Sequence, residues 1–401
     1  MVIVGAGVVG IATAYALARR GCRVTIIDRR DGPGEGTSFA NGAQLSYVYT
    51  DALANAGLLR RMPGLLLGAD PAFRMKLNFD PAEARWLLRF LGQCSSSAFE
   101  RNTLAGLALG LESRAAMHDL LARHPLDFAH AVPGKLHVHD SASTFAAAQA
   151  LAEIKKLHGA EQIGLAPAEA VMVEPAIASR EAGMAGAIYS PQEEVGDPHR
   201  FCVALTDVLV RDYQVEPWFG VSATSVISHD GEVRLGLGGG HEIAADHIMF
   251  CTGTVPKLAP LGGLASQVMG MKGYSFTAPP GASAPRVSIT DVSRKIVFCR
   301  LGDAIRVAGL AQLGVRDPAI DPRAIRQLVE AAGAALPDAA AFSAAGNYWA
   351  GHRPMTVDSL PIIKRIAPAI SVNLGHGMLG WTYAMGSAER AAAMIGDIVH
   401  A

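Results

Sequence analysis

The sequence is short of cysteine, of aromatic side chains and of net charge, and each shortage narrows what the protein can be. Its five cysteines are scattered and odd in number, which argues against a disulfide framework and favours reduced thiols in a cytoplasmic protein. The 35 Lys and Arg residues nearly balance 36 Asp and Glu residues, and no run of basic and aromatic residues predicts nucleic-acid binding. No apolar run is long enough to cross a bilayer, and we expect no secretory signal.

What remains is a long chain rich in hydrophobic residues and glycine. Hydrophobic residues make up 50% of its 401 residues, and 43 residues are glycine. A chain of this length can bury a large core, so a single small domain is not expected. Length and composition together predict a two-domain enzyme.

The N-terminus carries a dinucleotide-binding fingerprint. Residues 2–10 are Val-Ile-Val-Gly-Ala-Gly-Val-Val-Gly, which predicts a short buried strand, a tight turn and a helix over Ile11–Arg20. Gly5 permits the turn, Gly7 lets the backbone approach a pyrophosphate, and Gly10 lets the helix pack on the strand. The helix N-terminus then faces the phosphate.

A second strand, Arg23–Asp28, completes this unit and ends in an acid that can accept hydrogen bonds from both hydroxyls of a ribose. The alternative is a βαβ unit that binds no ligand, but the full combination favours a dinucleotide. Arg29 could instead meet the 2′-phosphate of NADP, which Asp28 argues against, or could lie at a solvated strand end. The cofactor contacts predicted in this unit are Gly5, Gly7, Val8, Val9, Gly10, Asp28 and Arg29.

Two later features favour FAD over a nicotinamide cofactor. After Asp28 the chain enters a Gly-rich loop with donors at Thr37 and Ser38, followed by a long helical region instead of a third strand. Near the C-terminus, a predicted strand over Ile370–Leu374 leads through a Gly-rich turn into an Ala-rich helix. That turn is a second helix N-terminus able to attract negative charge, although it could be only a tight corner. The contacts predicted there are Gly375, Gly377, Met378, Leu379 and Gly380.

Further motifs extend along the whole chain. They are Thr-Ser-Phe-Ala-Asn-Gly-Ala-Gln-Leu-Ser at 37–46, Arg-Trp-Leu-Leu-Arg-Phe-Leu at 85–91, Lys-Gly-Tyr-Ser at 272–275, Trp-Ala-Gly-His-Arg-Pro-Met-Thr-Val-Asp at 349–358 and Gly-His-Gly-Met-Leu-Gly-Trp-Thr at 375–382. Through these segments and the fingerprint, the chain resembles the D-amino acid oxidase superfamily of flavoproteins, and most closely its bacterial D-amino acid dehydrogenases.

The resemblance implies an α/β fold in which a Rossmann-type FAD-binding domain is interleaved with a smaller α+β substrate domain that carries a mostly antiparallel sheet. The FAD-binding pieces are expected at 1–46, 141–183, 198–258 and 346–401, and the substrate-domain pieces at 47–140, 184–197 and 259–345.

The resemblance also assigns roles to single residues. Arg353 matches the arginine that pairs bidentately with the substrate carboxylate, although it could instead pair with a nearby acid such as Asp358. Tyr274 is expected as a pocket wall over the flavin, or else as an ordinary strand tyrosine. His352 is expected to face away from Arg353, and His376 is not expected to act as a base. The remaining flavin contacts implied are Thr37, Ser38, Asn41, Gly42, Ala43, Gln44, Cys251, Thr252 and Gly253.

The implied function is oxidation of a D-amino acid by hydride transfer to flavin N5, giving an imino acid that water hydrolyses to a 2-oxo acid and ammonia. A cyclic or N-alkyl amino acid is the alternative substrate, as in D-proline, hydroxyproline or sarcosine chemistry. A more distant alternative is a flavin subunit that only relays electrons. No cysteine stands near Arg353-Pro354, so the FAD is expected to be held non-covalently.

Three other features, a histidine pair, a glutamate pair and two segments that mix apolar residues with arginines, have less specific interpretations. His137 and His139 have a spacing that can bind metal, but no third ligand follows at motif spacing, so no metal is expected. Glu193 and Glu194 are expected in a solvated loop. Leu58–Gly68 and Trp86–Leu91 mix apolar residues with arginines. They could touch the inner face of the cytoplasmic membrane and pass electrons to quinone or the respiratory chain, or they could be core helices.

Overall fold

The computed structural model describes residues 1–66, 68, 70–76, 78–229, 232–259 and 261–399. In these residues the helices are α1 (Val8–Ala18), α2 (Ala56–Leu66), α3 (Pro81–Gly92), α4 (Ser96–Arg123), α5 (Ala142–Lys156), α6 (Pro167–Val173), α7 (Pro198–Tyr213), α8 (Pro322–Ala335) and α9 (Gly380–Val399). Short 3₁₀ helices lie at Pro175–Gly183, Leu261–Leu264, Phe342–Ala344 and Gly377–Leu379.

The strands, in chain order, are β1 (Val2–Val4), β2 (Thr25–Ile27), β3 (Gln44–Leu45), β4 (Phe73–Met75), β5 (Lys135–His139), β6 (Ile163–Leu165), β7 (Gly186–Ser190), β8 (Glu194–Val195), β9 (Glu216–Trp218), β10 (Ala223–His229), β11 (Glu232–Leu237), β12 (Glu242–Ala245), β13 (Ile248–Phe250), β14 (Val268–Ala278), β15 (Ser288–Asp291), β16 (Ile296–Leu301), β17 (Ala304–Leu313), β18 (Gly346–Thr356), β19 (Ile362–Ala367) and β20 (Ile370–Leu374).

A six-stranded sheet contains the fingerprint unit. Its order is β19-β20-β13-β1-β2-β9, and every neighbouring pair is parallel except β19 with β20. The helix α1 begins at Val8 rather than at the predicted Ile11, because Gly7 ends the turn in extended backbone and serves as the N-cap. All residues of α1 are buried, since it packs between the sheet, α7 and α9.

Parallel strands bring their carboxyl ends to one edge of this sheet, where ligands of open α/β sheets bind. Gly5 follows β1, Asp28 follows β2, Cys251 follows β13 and Gly375 follows β20. The N-terminal unit with Gly5 and Asp28, the turn at Cys251 and the turn at Gly375, which are far apart in the chain, therefore converge at one edge. The expected Rossmann-type architecture is confirmed.

A second, larger sheet has nine strands in the order β18-β14-β17-β16-β15-β5-β7-β6, with β4 also paired to β17. Neighbours are antiparallel except β15 with β5 and β4 with β17, so the expected mostly antiparallel sheet is confirmed. The helix α8 covers one face at β14 and β17. A three-stranded sheet, β10-β11-β12, is not hydrogen-bonded to either sheet and packs its buried side chains against the fingerprint sheet.

The strand pairing differs from the predicted domain pieces at two places. β6 pairs with β7, which places part of 141–183 in the nine-stranded sheet rather than with the fingerprint sheet. β18 pairs with β14 over most of its length, so the start of 346–401 also lies in the larger sheet. Short strands gain their stability from sheet neighbours, which a single sequence does not identify. The domain boundaries themselves stay a prediction.

No helix in the described part of the chain is long and apolar enough to cross a membrane.

Several polar residues expected in loops are instead deeply buried. Glu193 and Glu194 are each 2% exposed, so their expected place in a solvated loop is wrong. The short β3–β8 pair draws Glu194 into the interior, and the chain packed around it buries both carboxylates.

Candidate active site

Two of the three fingerprint glycines, Gly5 and Gly10, leave no room for a side chain. Gly5 has φ +112°, and a methyl group there would lie 2.6 Å from the Cys251 carbonyl oxygen. A methyl group at Gly10 would lie 1.7 Å from the Gly5 carbonyl oxygen. At Gly7 the nearest atom is Ser38 Oγ at 3.3 Å, so the backbone stays open on this side. The turn therefore has the space requirements of a phosphate-binding loop at the N-terminus of α1.

Asp28 is fixed beside this turn. Its Oδ2 accepts a hydrogen bond from the Ala6 backbone N–H at 2.7 Å, and its Oδ1 accepts one from the Arg30 N–H at 2.9 Å. A carboxylate oxygen can accept more than one hydrogen bond, so both oxygens can still receive ribose hydroxyls. Arg29 is exposed to solvent, which agrees both with contact to a 2′-phosphate and with a solvated strand end.

The turns after β13 and β20 are joined to each other. The Gly375 N–H donates to the Gly253 carbonyl oxygen at 3.0 Å, and both glycines have positive φ. The Cys251 N–H donates to the Val4 carbonyl oxygen, and the Cys251 thiol is buried, which raises its pKa. Thr252 donates its hydroxyl hydrogen to the Thr254 carbonyl oxygen. These turns bring the N-terminus of α9 to the edge that already holds α1.

His376 is bound to the C-terminal helix. It is 2% exposed, and its Nε2 lies 2.9 Å from Ser387 Oγ. Burial lowers the pKa of His376 to about 3, so the ring is neutral at physiological pH. In contrast, the Met378 side chain in the same turn is half exposed. Gly377 has φ +58° and a methyl group there would lie 3.7 Å from the Met355 sulfur.

The segment 37–51 crosses one face of the nine-stranded sheet. Its contacts follow the strand order. On β18 and β14, Thr37 Oγ1 donates to the His352 carbonyl at 2.9 Å and the Ala40 carbonyl accepts from Ser275 Oγ at 2.5 Å, and Gly42 lies beside Val297 on β16 and Ala308 on β17. On β15 and β5, Gln44 Nε2 donates to Ser288 Oγ at 2.7 Å and Ser46 Oγ accepts from Lys135 Nζ at 2.6 Å. This segment joins the fingerprint sheet to the larger one.

Several predicted flavin contacts in this segment also make hydrogen bonds within the protein. Asn41 Oδ1 accepts from the Ala43 N–H at 2.8 Å and thereby supports the left-handed conformation of Ala43 at φ +59°. Ser38 Oγ accepts from the Val8 N–H at 3.1 Å. Because Gln44 also donates to the sheet, the side chains here are already engaged. Contact with a cofactor from this segment therefore falls mainly to its backbone, and the role of each residue stays a prediction.

Arg353 is a cation without an acidic partner. It lies on β18 opposite Met271, and its guanidinium extends over Gly273, where a methyl group would lie 2.4 Å from Arg353 Nη2. Its Nη1 donates to the Leu310 carbonyl oxygen at 3.1 Å. No carboxylate among the described residues lies within ion-pair distance of it, and burial lowers its pKa to about 10.

The alternative pairing with Asp358 is not found. Asp358 Oδ1 instead accepts from the Leu360 N–H at 3.1 Å. Arg353 remains half-buried and keeps donors that the protein does not use. A partly desolvated guanidinium with free donors is suited to bind a carboxylate in bidentate fashion.

Strand alternation separates the two predicted catalytic residues. Arg353, Gly273 and Ser275 share the face that meets segment 37–51, whereas Tyr274 points to the opposite face. Tyr274 is 1% exposed, packs in the core beneath α8, and donates to Gln312 Oε1 at 2.9 Å. Burial raises its pKa to about 12. The expectation that Tyr274 forms a pocket wall over the flavin does not agree with this placement.

Two other histidines near the sheet, His352 and His137, have defined contacts. His352 lies on the face of Tyr274, as expected, with Nε2 2.8 Å from the Val315 carbonyl oxygen. His137 stacks on Tyr49 with ring centroids 3.7 Å apart, and burial lowers its pKa. Among the residues that the structure describes, no group of three or more His, Cys, Asp or Glu could hold a metal ion.

Sequence patterns gave no sign of a buried polar cluster beneath segment 37–51. Glu194 accepts from Tyr47 Oη and lies between His118 and His130, at 2.5 and 2.8 Å. Glu193 Oε1 accepts from the Val48 N–H at 2.7 Å. Burial raises the pKa of Glu193 to about 7 and lowers that of Lys135 to about 8. The sequence does not predict the contacts between these groups, because they come from distant parts of the chain.

Comparison with known proteins agrees with this arrangement. A family model described as FAD dependent oxidoreductase matches residues 1–394. A protein named D-amino acid dehydrogenase 2 from Ralstonia nicotianae is 41% identical, covering 98% of this chain and 95% of the relative. One of the same name from Pseudomonas aeruginosa is 39% identical, covering 98% and 94%.

Solved structures share the fold at low sequence identity. L-proline dehydrogenase from P. horikoshii superposes with a TM-score of 0.75 and 16% identity, covering 99% of this chain and 92% of that one. Glycine oxidase from Geobacillus kaustophilus gives a TM-score of 0.73 and 19% identity, covering 100% and 94%. At these identities, the likeness establishes the fold alone.

Proposed function

Since the chain belongs to the FAD-dependent oxidoreductase family, we propose that it is a dehydrogenase that oxidises D-amino acids with FAD as its cofactor. The observation that carries the substrate class is Arg353, a half-buried guanidinium with no acidic partner in the described residues. The choice of D-amino acids as substrates is supported by relatives that match nearly the whole chain and are named D-amino acid dehydrogenase. They favour this substrate class over the cyclic and N-alkyl alternatives.

The residues present fit FAD. The Gly5–Gly10 turn would hold the pyrophosphate at the N-terminus of α1, and Asp28 would hold the adenosine ribose. The turns after β13 and β20 and the N-terminus of α9 would lie at the flavin, where a helix dipole favours negative charge. When bound, FAD supplies the acceptor for the two electrons of the substrate.

Arg353 would bind and orient the substrate. Its fork takes both carboxylate oxygens, which fixes the α-carbon relative to the sheet. The Leu310 carbonyl holds Nη1, so the guanidinium is oriented before substrate arrives. With the substrate held in this way, loss of a hydride from Cα to the bound FAD would let the nitrogen lone pair form the C=N bond, and the resulting iminium ion would lose a proton to solvent to give the imino acid. Water hydrolyses that product to a 2-oxo acid and ammonia.

No protein base is assigned to this reaction. His352 lies on the opposite face of the sheet, and His376 is bound to Ser387 with a pKa of about 3. Hydride transfer from a neutral amine needs orientation and exclusion of water rather than a strong base. The absence of a well-placed histidine on the Arg353 face in the described residues is therefore consistent with the proposed chemistry.

The substrate class is tested by steady-state oxidation of D- and L-alanine and D- and L-proline by the holoenzyme with an artificial dye acceptor. We expect turnover of D-alanine well above that of D-proline and none of the L-enantiomers. A preference for D-proline would establish the cyclic alternative. A holoenzyme that oxidises none of them, although it carries FAD, would contradict the proposal.

For the electron acceptor, we propose a quinone reached by peripheral contact with the inner face of the cytoplasmic membrane. Phe79 is fully exposed and Leu88 on α3 is 70% exposed. Arg85 and Arg89 on the same helix are exposed around them. Apolar side chains among arginines suit an anionic lipid surface. The neighbouring segment Leu58–Gly68 includes Leu67, which lies outside the described residues.

Membrane contact predicts that the holoenzyme sediments with anionic phospholipid vesicles and that the double variant Phe79→Ser, Leu88→Ser does so several-fold less. Removing two exposed apolar side chains takes away the area that enters the lipid interface. Leu157→Ser is the matched control, because Leu157 is 84% exposed but lies on α5's C-cap, away from this surface. Equal sedimentation of all three proteins would contradict the proposal.

A further inference from the structure

Two glycines form a cross-strand pair beside Arg353. Gly273 on β14 lies directly opposite Gly351 on β18. Neither has a positive φ, so neither is needed for an unusual backbone conformation. A methyl group at Gly273 would lie 2.4 Å from Arg353 Nη2, and one at Gly351 would lie 2.2 Å from Trp349 Cζ2. The glycine pair therefore provides space for two planar side chains that lie flat on the sheet.

Trp349 is the second of these side chains. It lies two residues before Gly351 on β18, so its indole is on the same face as Arg353. Side chains of directly opposed strand residues start about 4.5–5.5 Å apart. Because the guanidinium covers Gly273 and the indole covers Gly351, the two groups lie side by side.

The indole is not committed to the protein core. Trp349 is only partly buried. Within the described chain no hydrogen-bond partner contacts its indole nitrogen, whereas Trp86 donates to the Met355 carbonyl and Trp381 to the Gly196 carbonyl. β18 is the edge strand of the nine-stranded sheet, so no strand lies beside it on its outer side, and segment 37–51 reaches this face at Ser275, opposite Trp349. The indole thus remains available to a ligand that occupies Arg353.

We propose that Trp349 forms the wall of the subsite for the substrate's side chain and restricts that subsite to small groups. The inference rests on the proposed function, since it requires Arg353 to hold the substrate carboxylate. An α-carbon attached to that carboxylate brings its side chain next to the guanidinium, where the indole already fills space. The indole therefore sets side-chain preference without taking part in the chemistry.

The test compares Trp349→Ala and Trp349→Phe with the matched control Tyr348→Ala. Tyr348 is the neighbouring exposed aromatic residue on β18, and alternation directs it to the other face. Acetate, butyrate and hexanoate are titrated into each oxidised holoenzyme, and dissociation constants are taken from changes in flavin absorbance. These acids carry a carboxylate and an alkyl chain but no amine, so they bind without being oxidised and the measurement does not depend on turnover.

We expect hexanoate to gain affinity relative to acetate by about tenfold or more in Trp349→Ala, since a methylene group in an apolar pocket changes discrimination by about 10- to 200-fold. Trp349→Phe should shift the ratio less, and Tyr348→Ala should leave it unchanged. The ratio of kcat/KM for D-leucine to that for D-alanine should rise in the same order.

Two results would overturn the inference. One is an unchanged hexanoate-to-acetate ratio in Trp349→Ala, and the other is a wild-type protein whose flavin spectrum responds to none of the acids. If Trp349→Ala does not retain FAD, Gly351→Ala takes its place, because the new methyl group displaces the indole and should raise the ratio in the same direction. Carboxylate binding together with no oxidation of any D-amino acid would refute the proposed function but leave the subsite intact.

Discussion

At the scale of single residues, the site depends on which side chains have no partner. Two other largely buried arginines pair with acids, Arg306 with Asp197 and Arg180 with Asp291. Arg353 has no such acid and instead extends over a glycine. A cation left half-buried without a partner costs stability, which is a signature of a functional position.

Gly273→Ala tests that arrangement directly. The added methyl group would lie 2.4 Å from Arg353 Nη2, so the guanidinium must move off the strand. We expect the dissociation constant of acetate and the KM for D-alanine each to rise by about tenfold or more, as expected when a bidentate carboxylate pair is lost. The FAD content should not change. Gly346→Ala on the same strand, where nothing lies within 4 Å, is the control and should match the wild type.

The Arg-Pro-Met-Thr context predicts Arg353 as the carboxylate partner, whereas the predicted place of Tyr274 over the flavin disagrees with its burial in the core. The Lys-Gly-Tyr-Ser pattern shows that Gly273 and Tyr274 face opposite ways. It does not show which face meets the cofactor, because that depends on segment 37–51 crossing the sheet. Trp349 lies within the Trp-Ala-Gly-His-Arg-Pro motif, but the motif gives it no role, because the glycine pair is evident only in the fold.

At the scale of elements, the turn into α9 couples the cofactor edge to the C-terminal helix. His376 precedes the helix and is bound to Ser387 within it. Helices and strands with strong patterns, such as α1 and β20, are predicted from the sequence to within a few residues. Their partners in the sheets were not, since pairing is set by long-range packing rather than local propensity.

Burial of His376 predicts an acid-sensitive helix. The pKa is about 3 in the folded protein against 6.5 ordinarily, so below pH 6.5 the unfolded chain binds a proton that the folded protein does not. The stability that this neutral ring provides is therefore present above pH 6.5 and is lost as the pH falls from 6.5 towards 3.

Thermal unfolding at pH 7.5 and pH 4.5 measures this contribution. We expect the loss of Tm on acidification to be smaller in His376→Gln than in the wild type. His158→Gln at an exposed position is the control and should lose as much Tm as the wild type. An identical loss in all three proteins would show that the pKa of His376 is not depressed in the folded protein.

At the scale of the whole molecule, function depends on how two sheets meet. The fingerprint, the turn at 251–253 and the turn at 375–380 converge on one edge of the smaller sheet. Segment 37–51 then carries the chain across the larger sheet, whose edge strand bears Arg353. The fingerprint alone predicted the cofactor edge. The contact between the sheets could not be predicted, because buried groups such as Glu193 and Lys135 show no local pattern.

The central claim is that Arg353 holds the carboxylate of a D-amino acid that reduces the flavin. The most direct measurement is an anaerobic titration of the holoenzyme with D-alanine and L-alanine, following the oxidised-flavin absorbance, in the wild type, Arg353→Lys and Arg353→Ala. The account predicts bleaching by D-alanine alone, a half-saturating concentration raised moderately by Arg353→Lys, and a rise of more than about 100-fold in Arg353→Ala, as expected for loss of a charged bidentate contact. Equal bleaching by the wild type and Arg353→Ala would contradict it.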